Sequence, residues 1–347
     1  MHALVTGALG FLGLYVVEQL RARGEQVRAL CRRPSDELQS LGVDVVLGDL
    51  RDAAAVERAC AGVDTVFHCA AVAGIWGPWR HYFEVNVLGT RHVLAGCRRH
   101  GVQRLVYTSS PSVTFTGADQ CGIDESVPYA ARWLCHYPRS KALAEQAVLA
   151  ANGRNGLLTC ALRPHLIWGP GDRHLVPRLI ERARRGQLRR VGDGRNLIDM
   201  VYVENAAEAH LRAAEALVAG SPVCGQAYFI SQGEPVRCWE WIDTILACAG
   251  LEPVRRGISA RAACWAGWAC EAAWTLLRLP GEPRMTRFLA LQLARSHYFS
   301  IERARRDFGY QPRVSTADGL RRLAAWLQAP APHAPSPAHL PQPEGRT

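Results

Sequence analysis

Thr6-Gly7-Ala8-Leu9-Gly10-Phe11-Leu12-Gly13 follows an apolar run, His2–Thr6, and opens a helical pattern with Leu12, Val16, Val17 and Leu20 on one face. Each glycine in the Gly-x-x-Gly-x-x-Gly spacing meets a separate need. Gly7 permits a tight turn, Gly10 lets backbone approach a pyrophosphate, and Gly13 lets the helix pack on the strand. The anion then meets free N–H groups at a helix N-terminus, where Phe11 and Leu12 begin. Strand, glycine turn and helix in this order predict a dinucleotide site rather than a merely tight strand–helix connection.

Working outward, strand and helix signals keep alternating. Strands are predicted at Gln26–Cys31, Val43–Leu47, Thr65–Cys69, Arg104–Thr108 and Leu157–Leu162, with helices at Phe11–Arg23, Ala53–Cys60, Phe83–His100 and around Tyr137. That alternation predicts an α/β fold: a Rossmann-type doubly wound parallel sheet whose ligands gather at the strand carboxyl ends. Residues 1–165 form the nucleotide-binding domain in this reading. Residues 166–328 form a smaller, mostly helical substrate-binding region. Residues 196–231 of that region return to the sheet, with Ala227–Ile230 adding a strand. A tail at 329–347, rich in Pro, Ala and His, is expected to be disordered.

Bulk composition narrows the function. With 347 residues, 48% of them hydrophobic, the chain buries a large core. The net charge of +10 comes from arginines spread over helices, not interleaved with aromatics, so nucleic acid is excluded in favour of an anionic cofactor or acid substrate. The twelve cysteines contain no CxxC pair and read as free thiols in a reducing cytoplasm. The histidines show no HExxH, and no metal is expected. Ala3-Leu4-Val5 already reads as the opening strand, so no signal peptide is expected. Ala262–Leu279 is apolar but broken by Glu271 and Arg278, which suits peripheral membrane contact at most. This Trp-rich segment is expected to line or lid a long apolar pocket.

Tyr137-Pro138-Arg139-Ser140-Lys141 places a tyrosine and a lysine one helical turn apart. A phenol near pKa ~10 is a poor acid at neutral pH, but a cation ~4 Å away at an effective dielectric of ~20 stabilises the phenolate by about 4 kcal/mol. Tyr137 is thus a candidate proton donor and Lys141 its partner, or a holder of the nicotinamide ribose. The fifth strand runs into Thr108-Ser109-Ser110-Pro111-Ser112, where a hydroxyl can donate to a substrate carbonyl; Ser110 is the first choice and Ser109 the second. The second strand ends in Cys31-Arg32-Arg33 with no acid for a ribose 2′-OH, so Arg32 is expected to meet a 2′-phosphate and the cofactor to be NADP(H). Asp49 is placed under the adenine. Asn86 is weighed as an organiser of the site against a helix-packing role, and His136 is read as structural. Arg163, Arg178, Arg284 and Arg287 are all candidates for a substrate carboxylate.

Taken together, these residues resemble the extended short-chain dehydrogenase/reductase family. The pattern comprises Thr6–Gly13, Gly48-Asp49-Leu50, His68-Cys69-Ala70-Ala71, Tyr107–Ser110, Tyr137/Lys141 and Leu162-Arg163-Pro164. The resemblance implies that Leu50, Ala70 and Pro164 also border the cofactor. Arg163–Asp172 and Asp199–Asn205 look like its 3β-hydroxysteroid dehydrogenase branch. Within that branch, Val72–Gly77, Gly281–Phe288 and Ala304–Tyr310 resemble bacterial reductases of 2-alkyl-3-oxoalkanoic acids in long-chain olefin biosynthesis. That implies a long-chain β-keto acid substrate, NADPH as reductant, and company with a thiolase-like condensing enzyme and a β-lactone-forming ligase. A homo-oligomer is expected. The rival readings are a sterol 3β-hydroxy-4-carboxylate dehydrogenase with the same machinery, a sugar-nucleotide epimerase, and a redox-sensing nucleotide-binding regulator.

Overall fold

The computed structural model describes residues 1–329, so all of the Pro-rich tail after Ala329 lies outside the described residues. Seven strands pair in parallel: β1 (His2–Thr6), β2 (Gln26–Cys31), β3 (Asp44–Leu47), β4 (Thr65–His68), β5 (Arg104–Thr108), β6 (Leu158–Pro164) and β7 (Ala227–Ile230). Their spatial order is β3-β2-β1-β4-β5-β6-β7. The order reverses between β1 and β4, which opens a crevice at the carboxyl ends of those strands. Ala227–Ile230 does return to the sheet, pairing with Ala161–Pro164 of β6.

Eleven helices of seven or more residues complete the described chain: α1 (Phe11–Ala22), α2 (Ala53–Cys60), α3 (Gly89–His100), α4 (His136–Leu149), α5 (Leu175–Arg184), α6 (Val203–Ala216), α7 (Cys238–Cys248), α8 (Ala260–Leu276), α9 (Arg287–Ala294), α10 (Glu302–Phe308) and α11 (Thr316–Gln328). On one face of the sheet, Val16, Val17 and Leu20 of α1 share a core with Ala206, Ala213 and Ala214 of α6. On the other face, Val56 of α2, Val93 and Leu94 of α3 and Val148 of α4 form a second core. Coverage on both faces explains why the strands read as continuous apolar runs.

Some local structure departs from the expectation. Phe83–His100 is not one α-helix: Phe83–Leu88 is a π-helical turn, and α3 starts only at Gly89. The wider turn leaves the Asn86 carbonyl to accept from Thr90 Oγ1 at 2.6 Å. A second sheet joins Val236–Arg237, Leu197–Ile198, His297–Phe299 and Gln120–Ile123, strands two to four residues long. Its neighbours Trp168, Trp239 and Trp241 are buried in a third core. Among the described residues, no helix is long and apolar enough to cross a membrane.

Candidate active site

The glycine turn is as close-packed as its spacing requires. Gly7 adopts φ +75°, and Gly10 N donates to Gly7 O at 2.8 Å. A Cβ on Gly13 would lie 2.1 Å from Gly7 O, so no side chain fits there. Gly10 stands at the N-cap of α1 without a side-chain cap, which leaves the first N–H groups of the helix open to an anion.

Behind the turn, donor accounting fixes a buried relay. Thr90 Oγ1 donates to Asn86 O, so it must accept from His68 Nε2 at 2.9 Å. His68 Nδ1 then accepts from Thr6 Oγ1 at 2.7 Å, and that oxygen accepts from Ala70 N. Burial pushes the His68 pKa down to about 3, so the ring is neutral and Nδ1 is its free acceptor. Asn86 extends the relay: its amide accepts from Val72 N at 2.7 Å and donates to Val72 O and Ser140 Oγ. It clamps the loop after β4 onto α4 and does not line the cavity.

α4 carries the tyrosine and lysine. Pro138 suits its first turn, where a missing N–H costs nothing. The helix is tied to β6 by a buried ion pair, Glu145 to Arg163 at 2.6 Å, and Tyr129 also donates to Glu145 at 2.7 Å. Lys141 is 2% exposed; its Nζ donates to Thr108 O at 2.5 Å and sits 4.2 Å from the Tyr107 ring centroid. Burial lowers its pKa to about 7, opposed by Glu145 and Cys69.

The Lys141 ammonium donates to the end of β5, and among the described residues no hydrogen bond joins it to the Tyr137 phenol. Burial raises the Tyr137 pKa, and the Ser110 hydroxyl is the group that opposes the rise. Ser110 caps the short turn Pro111–Thr114 and shares a 2.9 Å hydrogen bond with Ser112 Oγ. Ser109 Oγ is buried and has no hydrogen-bond partner among the described residues.

One cavity of about 410 Å³ brings together Gly7, Gly10, Phe11, Leu12 and Gly13 with Ser109, Ser110, Tyr137, Lys141 and Pro164. The other expected cofactor residues stand outside its lining. Arg32 is exposed at the end of β2. Asp49 is paired with Arg51 at 2.9 Å, and mainly that pairing, with a smaller contribution from Arg32, holds its carboxyl below the usual range. Leu50 is buried against Gly89, and Ala70 backs onto Gly7.

The far wall was not legible in the sequence. It comprises Phe115, Leu166, Ile167, His174, Phe288, Gln292, His165, His297 and Phe299, with neighbours. His297 Nε2 must donate to the Gln292 carbonyl at 2.8 Å, so its Nδ1 accepts from His165 Nε2 at 3.1 Å. His165 Nδ1 is hydrogen-bonded to Asp199 Oδ1 at 2.5 Å, and Asp199 Oδ2 accepts from Phe299 N. Burial keeps His297 neutral, with its pKa lowered to about 4.

Two expectations about substrate contacts are not met. None of Arg163, Arg178, Arg284 and Arg287 lines the cavity; the first is bound to Glu145, the second to Glu282 and the fourth to Glu271. Nor does Ala262–Leu279 line it. The helix it forms docks through Ala263 and Gly267, while Trp265 and Trp268 are 69% and 51% exposed.

A nicotinamide dinucleotide fits what is present. The glycine cradle excludes side chains where a pyrophosphate would lie, open helix N–H groups face it, and the orphaned Ser109 hydroxyl borders the same cavity.

The comparisons agree with this geometry. Residues 4–257 match the model of the 3-beta hydroxysteroid dehydrogenase/isomerase family. The chain is 53% identical to a 2-alkyl-3-oxoalkanoate reductase from Stenotrophomonas maltophilia, over 94% of this chain and 99% of the relative. It is 48% identical to a protein of the same name from Shewanella oneidensis, over 94% and 86%. A human sterol-4-alpha-carboxylate 3-dehydrogenase, decarboxylating, is 38% identical over 92% and 86%. Among solved structures, UDP-glucose 4-epimerase from Thermus thermophilus in complex with NAD superposes with a TM-score of 0.72, covering 95% and 100% at 27% identity. The chain belongs to the 3-beta hydroxysteroid dehydrogenase/isomerase family, on the doubly wound nucleotide-binding fold.

Proposed function

We propose that this protein is an NADPH-dependent reductase of 2-alkyl-3-oxoalkanoic acids, yielding the 2-alkyl-3-hydroxy acids. The observation that carries the substrate class is the 53% identity, end to end, with a reductase of that name. The sterol dehydrogenase relative is more distant, at 38%.

NADPH held on the glycine turn would supply a hydride for the substrate's carbonyl carbon. The protein supplies the proton: Tyr137 donates to the carbonyl oxygen as negative charge develops there. Ser110, beside the phenol, gives its one proton to the same oxygen as charge develops there. Lys141, held on the Thr108 carbonyl, is placed to hold the nicotinamide ribose and to bring positive charge near the site. Arg32, exposed where an acid would select NAD, supports NADPH over NADH. Gly7, Gly10, Gly13, Phe11 and Leu12 would hold the pyrophosphate and Pro164 would border the cofactor in the cavity, with Asp49 toward the adenine and Leu50 and Ala70 behind the lining. Olefin biosynthesis is the setting, with the condensing enzyme and the β-lactone-forming ligase as pathway neighbours.

Incubation of the purified protein with NADPH and a synthetic 2-alkyl-3-oxoalkanoic acid should give the 3-hydroxy acid by mass spectrometry. With NADH the rate should drop at least ten-fold, and Arg32→Ala should narrow that gap. Equal rates with both cofactors in the wild type would contradict the NADPH assignment.

A further inference from the structure

The exposed face of α8 has no use in the reaction described above. Ala262, Trp265, Ala266, Trp268, Ala269, Ala272 and Leu276 all reach solvent at helical spacing, and Leu277 and Leu279 continue the patch. Leu276 is 84% exposed. The one charged side chain between Ala262 and Leu277, Glu271, is turned back onto Arg287. A contiguous apolar face of this kind marks an interaction site.

The rim of the face decides what covers it. Glu252, Glu271 and Glu282 are the only acids between residues 251 and 290, and each is already paired, to Arg255, Arg287 and Arg178. Arg256, Arg261, Arg278 and Arg284 have no salt-bridge partner among the described residues, with Arg261 and Arg278 at opposite ends of the apolar face. A two-fold contact with a second copy would set this positive rim against itself, with no unpaired carboxylate between residues 251 and 290 to answer it. An anionic bilayer answers both features: the tryptophans enter the headgroup boundary and the arginines meet phosphates. α8 is also too short and insufficiently apolar to span.

The face adjoins the cavity wall. Gly267 packs α8 against Thr286 and Arg287, where a Cβ would lie 2.6 Å from the Thr286 backbone. That contact leads into α9, whose Phe288 and Gln292 line the cavity. The loop between the two helices brings Glu282 beside Gly74, another lining residue.

We infer that α8 and the loop to Arg284 dock the protein in plane on an anionic phospholipid surface, which sets the cavity where a long-chain acid partitions. The docking rests on the surface alone. Only the delivery of substrate rests on the reductase reading, and vesicle binding needs no substrate.

Flotation with phosphatidylglycerol/phosphatidylcholine vesicles should carry the full-length protein upward at low salt, and pure phosphatidylcholine should carry at least ten-fold less. Trp265→Ala/Trp268→Ala should lower the bound fraction at least ten-fold, and Arg261→Gln/Arg278→Gln should remove the preference for anionic lipid. Brominated lipid should quench wild-type tryptophan fluorescence. Far-UV circular dichroism and NADPH binding should be unchanged in both variants, which separates lost docking from misfolding. No flotation of the wild type, or flotation unaffected by the tryptophan change, overturns the proposal. So does a wild-type dimer that Trp265→Ala/Trp268→Ala converts to monomers, since the face would then be a protein interface.

Discussion

At the scale of single residues, burial sets the chemistry more than sequence spacing does. Tyr137 and Lys141 share a helix face, yet the hydrogen bond of the buried lysine goes to Thr108 O at the end of β5. Tyr137→Phe should lose 10²–10⁴ of kcat while NADPH still binds, because only the proton donor is removed. Retention of more than about a tenth of the rate would exclude that role. Lys141 has a folded pKa of about 7, against ~10.4 when unfolded. Between those values the unfolded chain binds the extra proton, so stability should rise with pH by roughly 1.4 kcal/mol per unit. Denaturant titrations at pH 7 and 9 should show this rise in the cofactor-free wild type, and Lys141→Met should flatten it.

The secondary-structure elements show which parts of the site were legible. The glycine turn, β1 and α1 could be read because one short stretch carries turn, strand and helix signals together. A Cβ at Gly13 would strike Gly7 O, so Gly13→Ala should abolish measurable NADPH binding in equilibrium dialysis. The far wall was illegible for a physical reason: its strands are two to four residues long, and residues 115–120, 165–175 and 288–299 meet only in three dimensions. Asn86 could be noticed but not assigned, since its partners at Val72 and Ser140 are fixed by the π-helical turn. The Trp-rich segment faces solvent rather than the cavity, which apolar side chains alone do not reveal. Glu145 anchors α4 to β6 through a partner 18 residues away that its local sequence does not mark. Glu145→Gln leaves Arg163 buried without its counter-charge, so it should cost about 3–5 kcal/mol in urea unfolding. An effect below about 1 kcal/mol would mean that the pair does not position the helix.

For the whole molecule, acid sensitivity follows from histidines enclosed without charge. His68, His210 and His297 have pKa values lowered by burial to about 3, 4 and 4. Below ~6.5 the unfolded chain takes up protons that the folded chain refuses, so stability falls as pH falls. Three such groups together give a slope of roughly 4 kcal/mol per pH unit between ~6.5 and ~4. Stability measured at pH 7 and pH 5 should show that loss, and His210→Gln should reduce it by about a third.

The central claim, reduction of a two-armed 3-oxo acid in a cavity bounded by Tyr137, Ser110 and an apolar far wall, is tested by substrate choice. Initial rates of NADPH loss should be measured with 2-alkyl-3-oxoalkanoic acids of increasing arm length, alongside a 3-oxo steroid. Each buried methylene is worth up to ~0.8 kcal/mol, so kcat/KM should climb by up to about four-fold per carbon until the cavity fills, with little turnover of the steroid. A flat response to arm length, or a clear preference for the steroid, would contradict the account.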